Sequence, residues 1–117
     1  DELCSACCFS LSFLTLSAVD LAAFGVRVNA VIPGEVMTPM YDHWLKSFKS
    51  PQDKLQAITT NIPLENRLTT SAEVATSVIF LLSQWSSHTT GQFLFVDGGY
   101  THLDRPLSTI HTHNFFE

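Results

Sequence analysis

Apolar positions along this chain change period several times, and each change marks an element. Leu11, Leu14, Ala18, Leu21 and Ala22 recur at spacings of three and four, the period of a helix packed by one face. Gly25 supplies a helix stop of the left-handed type. Val26, Val28, Ala30, Val31 and Ile32 then make a short, β-branched, nearly unbroken apolar run. A parallel strand covered on both faces reads this way. Pro33 brings no ladder donor and Gly34 permits an unusual backbone turn, so the strand is expected to end there.

Pro39 opens a predicted helix over Met40 to Phe48. Ser50-Pro51-Gln52-Asp53 reads as cap, first-turn proline and acidic first turn of a second, over Pro51 to Thr60. This pair carries Tyr41, His43, Trp44 and Phe48, more aromatic weight than a solvated surface needs. Thr70-Ser71-Ala72-Glu73 has the spacing of a capping box. Val74, Ala75, Val78, Ile79, Leu81 and Leu82 follow with the clearest helical period in the chain, ending near Ser83 to Trp85. After a polar loop, Gln92 to Val96 reads as a second strand, and Asp97-Gly98-Gly99 turns the chain out of it. A strand, a long helical crossover and a second strand imply a right-handed parallel pair in an α/β fold. Ligands of such sheets sit at the carboxyl ends of the strands, here at the two glycine turns. Two strands alone leave open edges and uncovered faces, so the rest of the sheet is expected in residues N-terminal to Asp1.

At 117 residues the chain has room for one small domain. A formal net charge of −5 with six scattered Lys and Arg argues against a nucleic-acid or anionic-membrane partner, both of which reward clustered basic residues. The three cysteines, Cys4, Cys7 and Cys8, crowd together and do not form a disulfide framework. Cys4 and Cys7 make a C-x-x-C pair, the spacing of a redox or half-metal site, but no thioredoxin-like pattern or second ligand pair accompanies it. They read as small buried residues in a reducing cytoplasm. Residues 3–19 are apolar and Ser-rich. Asp1-Glu2 replaces the basic start of a signal peptide, and the run is too hydroxyl-rich for a membrane span, so a buried helix is expected. From His102 to Glu117 no period emerges. His111-Thr112-His113 reads as part of a frayed terminus rather than a metal site, and no metal is expected.

From Ala18 to Arg105 an ordered series resembles the C-terminal half of the short-chain dehydrogenase/reductase family. It comprises Asp20-Leu21-Ala22, Gly25 to Val31, Pro33-Gly34-Glu35-Val36-Met37-Thr38-Pro39 and Asn66-Arg67-Leu68. Ala72-Glu73-Val74-Ala75, Phe80 to Ser83, Thr90-Gly91-Gln92 and Val96-Asp97-Gly98-Gly99 complete it. The ending Tyr100 to Arg105 resembles bacterial sugar dehydrogenases similar to L-fucose dehydrogenase. The resemblance implies one partial Rossmann-type domain over 1–117, an incomplete doubly wound parallel sheet, with 18–105 family-like, 1–17 diverged and 106–117 a tail. It implies NAD or NADP as cofactor, bound along Pro33, Gly34, Val36 and Thr38. The Val36 backbone and the Thr38 hydroxyl would meet the nicotinamide carboxamide. Thr38 also reads as a plain helix cap. Glu35, Tyr41 and Trp44 fall in the family's substrate lid; the same helices also read as an ordinary amphipathic pair or a subunit contact.

The family's proton transfer uses a Tyr with a Lys four residues on, because a phenol with a pKa of about 10 needs a neighbouring cation to work near neutrality. Counting back from Asp20 places that pair at Leu3 and Cys7, neither of which supplies the chemistry. The catalytic Ser, the glycine-rich pyrophosphate turn and the ribose-reading acid would fall before residue 1. No catalytic residue is therefore assigned. The resemblance implies an NAD(P)-dependent oxidoreductase acting on an alcohol or sugar hydroxyl, present as a fragment inactive alone and binding the cofactor weakly. The alternative is a non-enzymatic fragment that keeps the family's subunit-association surface through residues 72–96.

Overall fold

The computed structural model describes residues 2–102, with side chains over 12–101. Element order is α1 (Glu2–Ala22), β1 (Ala30–Pro33), α2 (Pro39–Leu45), α3 (Pro51–Thr59), α4 (Ser71–Leu82) and β2 (Phe93–Val96), with 3₁₀ turns at Gln84–Ser86 and Tyr100–His102. The strands form one two-stranded sheet. Ala30 N–H donates to the Gln92 carbonyl and Gly34 N–H to that of Val96, both at 2.9 Å. The register is constant, so the pair is parallel. The described residues group into two compact units interleaved along the chain.

The first unit comprises the chain up to Ile32 together with Ala72–Phe95. In it α1 is longer than the period from Leu11 suggests. Its end is a Schellman turn: Gly25 N–H reaches the Ala22 carbonyl and Val26 N–H the Leu21 carbonyl, with Gly25 at φ +71°. β1 starts later than the apolar run, at Ala30 rather than Val26. The reason lies in the bonds of the preceding residues. Val28 gives its N–H to the Thr90 side chain, and Asn29 Nδ2 donates to the Thr89 carbonyl. Arg27 spends its guanidinium on the carbonyls of Leu81, Ser83 and Thr89 and on Ser86 Oγ. These bonds satisfy carbonyls at the end of α4 that the helix itself leaves open. Ala18, Leu81 and Ser86 are buried here. Ser12 and Thr15 of α1 with Phe93 and Phe95 of β2 line a shallow open hollow. The strands are half-exposed rather than covered on both faces, Phe95 among the exposed residues, because a strand's apolar character does not bring its own cover.

Among the described residues, the second unit comprises Pro33–Ser71 and 96–102. Pro33 closes β1 without breaking the ladder. Positions 30 and 34 donate toward β2, so the proline nitrogen falls on the alternate side where no donor is required. α2 begins as the Pro39 signal implies, with Thr38 Oγ1 accepting from Tyr41 N–H. It stops at Leu45, short of Phe48, where Ser47 and Phe48 tighten into turns on the Trp44 and Leu45 carbonyls. Ser50 occupies the cap position of α3 but makes no side-chain cap bond. Leu45, Ile62, Thr69 and Asp97 are buried here. Among the described residues no helix is long and apolar enough to cross a membrane.

Candidate functional site

The segment that leaves β1 is held from two sides within the second unit. Gly34 lies so close to Asp97 that a Cβ built on it would stand 2.8 Å from the Asp97 Cα. Glu35 gives its carbonyl to Thr69 N–H at 2.9 Å, and Val36 forms an isolated parallel bridge with Thr69. In a parallel bridge the flanking residues face the partner, so the N–H and carbonyl of Val36 itself point to the opposite side. Thr69 is buried, and its hydroxyl also reaches the Val96 carbonyl at 3.4 Å. Pro33, Gly34, Val36 and Thr38 thus lie in one short, anchored stretch. The Thr38 hydroxyl accepts from the backbone of α2 through its oxygen, which leaves its proton free to donate.

Glu35, Tyr41 and Trp44 also lie in this unit. The Tyr41 ring meets Trp44 with centroids 5.3 Å apart, and Trp44 meets Phe48 edge-on at 4.9 Å. Lys54 of α3 sits over both rings, at 5.9 Å from Trp44 and 5.2 Å from Phe48. The Tyr41 hydroxyl is buried beside the Glu35 carboxylate. Burial above all, then the neighbouring Glu35 carboxylate and finally Tyr100, push its pKa up to about 12. It therefore stays a protonated donor through the neutral range.

Two contributors are illegible as site residues in the linear pattern. Thr69 gives no local cue, flanked as it is by Leu68 and Thr70. Asp97 has one: an Asp before two glycines is a ready acceptor for backbone N–H groups. It accepts from Gly99 N–H through Oδ1, and from Thr101 N–H and Oγ1 through Oδ2. That turn carries Tyr100 toward Tyr41. Leu3 and Cys7 lie on α1, four residues apart. The side chains of Cys4, Cys7 and Cys8, and the His111 and His113 pair, lie outside the described residues. Among the described residues, no three His, Cys, Asp or Glu side chains gather into a metal-binding group.

The strand-end segment Pro33 to Thr38 lies within the part of the chain that known proteins match. Residues 10–101 fit the family model described as Enoyl-(Acyl carrier protein) reductase. The chain belongs to the short-chain dehydrogenase/reductase family. The glucose 1-dehydrogenase of Gluconobacter oxydans is 38% identical over 84 residues, which cover 72% of this chain and 30% of that protein. The cyclopentanol dehydrogenase of Comamonas testosteroni is 40% identical over 89 residues, covering 76% and 34%. The crystal structure of Cj0485 dehydrogenase superposes with a TM-score of 0.81 at 48% identity, over 86% of this chain and 39% of that one. A short-chain dehydrogenase family protein from Francisella tularensis subsp. tularensis SCHU S4 gives 0.74 at 35%, over 80% and 40%. The chain spans about a third of the length of the curated relatives it matches. The fold is therefore part of the Rossmann-type α/β architecture of this family of NAD(P)-dependent oxidoreductases.

Proposed function

We propose that this chain carries the nicotinamide-side segment and the substrate-facing helices of an oxidoreductase acting on an alcohol or sugar hydroxyl, and that alone it does not turn over. The observation that carries the reading is the anchoring of Glu35 and Val36 by Thr69, which turns the Val36 backbone groups away from their partner. A planar carboxamide needs one donor and one acceptor in a fixed spacing, and Val36 with the Thr38 hydroxyl offers both. Pro33 and Gly34 set the path of the segment. When bound, the nicotinamide supplies the hydride chemistry. Proton transfer is a separate requirement, and the α1 positions matched to it hold Leu3 and Cys7, with no cation to lower a phenol's pKa. Two relatives named for oxidising ring alcohols, glucose 1-dehydrogenase and cyclopentanol dehydrogenase, support an alcohol substrate. A cytoplasmic setting fits the same reading.

The test is a titration of the 117-residue chain with NAD followed by amide NMR, beside an assay for reduced nicotinamide. Shifts are expected at Val36 and Thr38 at millimolar NAD, with no protein-dependent turnover of alcohols. Thr38→Val should abolish the Thr38 response and cost about 1 kcal/mol through the lost cap, whereas Thr38→Ser should keep both. Unmoved signals at Val36 and Thr38 would overturn the cofactor reading, and clear turnover would overturn the assignment at Leu3 and Cys7.

A second reading, association with another copy through residues 72–96, draws on a specific observation. Ile79, Leu82 and Trp85 expose 65%, 78% and 86% of their surface, more apolar area than a lone small domain usually leaves in water. Light scattering over a range of concentrations should give at least a dimer, and Leu82→Glu should shift it toward monomer. A stable monomer of the parent chain at all concentrations would refute this.

A further inference from the structure

α2 and α3 have seven and nine residues, and helices this short do not hold themselves in water. Their stability has to come from contacts, and on the α3 side apolar burial supplies little. No residue of α3 is buried, and its two large apolar side chains, Leu55 and Ile58, are only half-covered. What crosses from α3 to the other helix is a cation. Lys54 Nζ lies 5.9 Å from the Trp44 ring centre and 5.2 Å from that of Phe48, within the range over which a ring face attracts an ammonium. The two rings meet at 82°, so one ammonium reaches both.

The usual partner of a surface lysine is a carboxylate, and the chain shows the contrast nearby. Lys46 pairs with Asp42, a contact confined to α2 and its cap, whereas Lys54 makes no ion pair among the described residues. Trp44 and Phe48 stay 43% and 36% exposed, so the attraction acts at surface strength, a few-fold in the closing equilibrium. That is enough to matter for a helix with no buried residue. We infer that Lys54 is a charge-dependent clasp of the α2–α3 pair: with its ammonium over Trp44 and Phe48 the pair is closed, and without that charge α3 opens as a local unit while the rest of the chain stays folded. The Thr38 cap bond to Tyr41 N–H belongs to the first turn of α2 and is not part of this opening. The inference concerns the helix pair itself and stands or falls apart from the cofactor reading.

Amide hydrogen exchange of the full chain, followed by NMR, reads the opening of each helix separately. Lys54→Met keeps an unbranched apolar stem and removes the charge. It should speed exchange about fivefold at Thr60 and Asn61, whose N–H groups bond the Gln56 and Ile58 carbonyls, and leave α4 unmoved. Lys54→Arg keeps a cation that stacks on rings and should hold the parent rate. In the parent, the Lys54 methylene protons next to Nζ should lie upfield, shielded by the two rings, and Phe48→Leu should move them toward the position of a free lysine. Unchanged exchange at Thr60 and Asn61 in Lys54→Met, equal acceleration of α4, or an equal loss in Lys54→Arg would each overturn the clasp. So would methylene protons of the parent at the free-lysine position.

Discussion

Gly34→Ala is expected to lower the chain's stability by about 3 kcal/mol, the upper range for overpacking a tight contact. The cost is crowding and not backbone strain, since Gly34 is not in the left-handed region. A Cβ there would stand 2.7 Å from the Asp97 Cβ and 2.8 Å from its Cα. A flexible side-chain tip could swing aside, but a main-chain carbon can yield only if the segments part. Parting them strains the 2.9 Å bond from Gly34 N–H to the Val96 carbonyl. Gly25→Ala is the matched control. Its φ of +71° penalises alanine, yet nothing lies within 4 Å of the added methyl. That change should cost only about 1 kcal/mol. Urea midpoints at unchanged slope measure both. Equal losses in the two variants would mean that the close approach of Gly34 to Asp97 does not govern this turn.

The contrast between these glycines also marks what the chain's pattern can reveal. Helix starts are written in local chemistry, so Thr38-Pro39 and Pro51 announced α2 and α3 to within a residue. The period from Val74 to Leu82 likewise fixed α4. Strand extent depends on distant partners. Val26 to Asn29 read as strand, yet Thr89 and Thr90 claim the polar groups of Val28 and Asn29. Burial departs from the pattern for the same reason: an apolar strand states a preference for cover, and Phe95 is left 47% exposed. In the site, Pro33 to Thr38 were legible as one segment because proline, glycine and a capping threonine act locally. Thr69 was not, since nothing beside it in sequence says that its N–H will meet the Glu35 carbonyl. The Tyr41 and Tyr100 neighbourhood is equally a product of the fold, joining α2 to the turn after β2.

The second large effect is expected at Asp97, which is buried, 6% exposed, and satisfies three donors at once. Asp97→Ala removes the acceptors for the N–H groups of Gly99 and Thr101 and for the Thr101 hydroxyl, three part-buried bonds to a charged acceptor. Water can take up part of the loss at the exposed Thr101, so about 1 kcal/mol for each bond and about 3 kcal/mol in total is expected. Asp97→Asn should fall between, because one amide oxygen still accepts while the NH₂ group faces other donors. Thr101→Val, which deletes only the 2.6 Å hydroxyl bond, should cost about 1 kcal/mol. The order Ala, Asn, then Val, read from urea midpoints, tests whether the carboxylate organises the turn. A loss in Asp97→Ala no larger than that in Thr101→Val would mean that the carboxylate holds one hydroxyl and does not organise the turn.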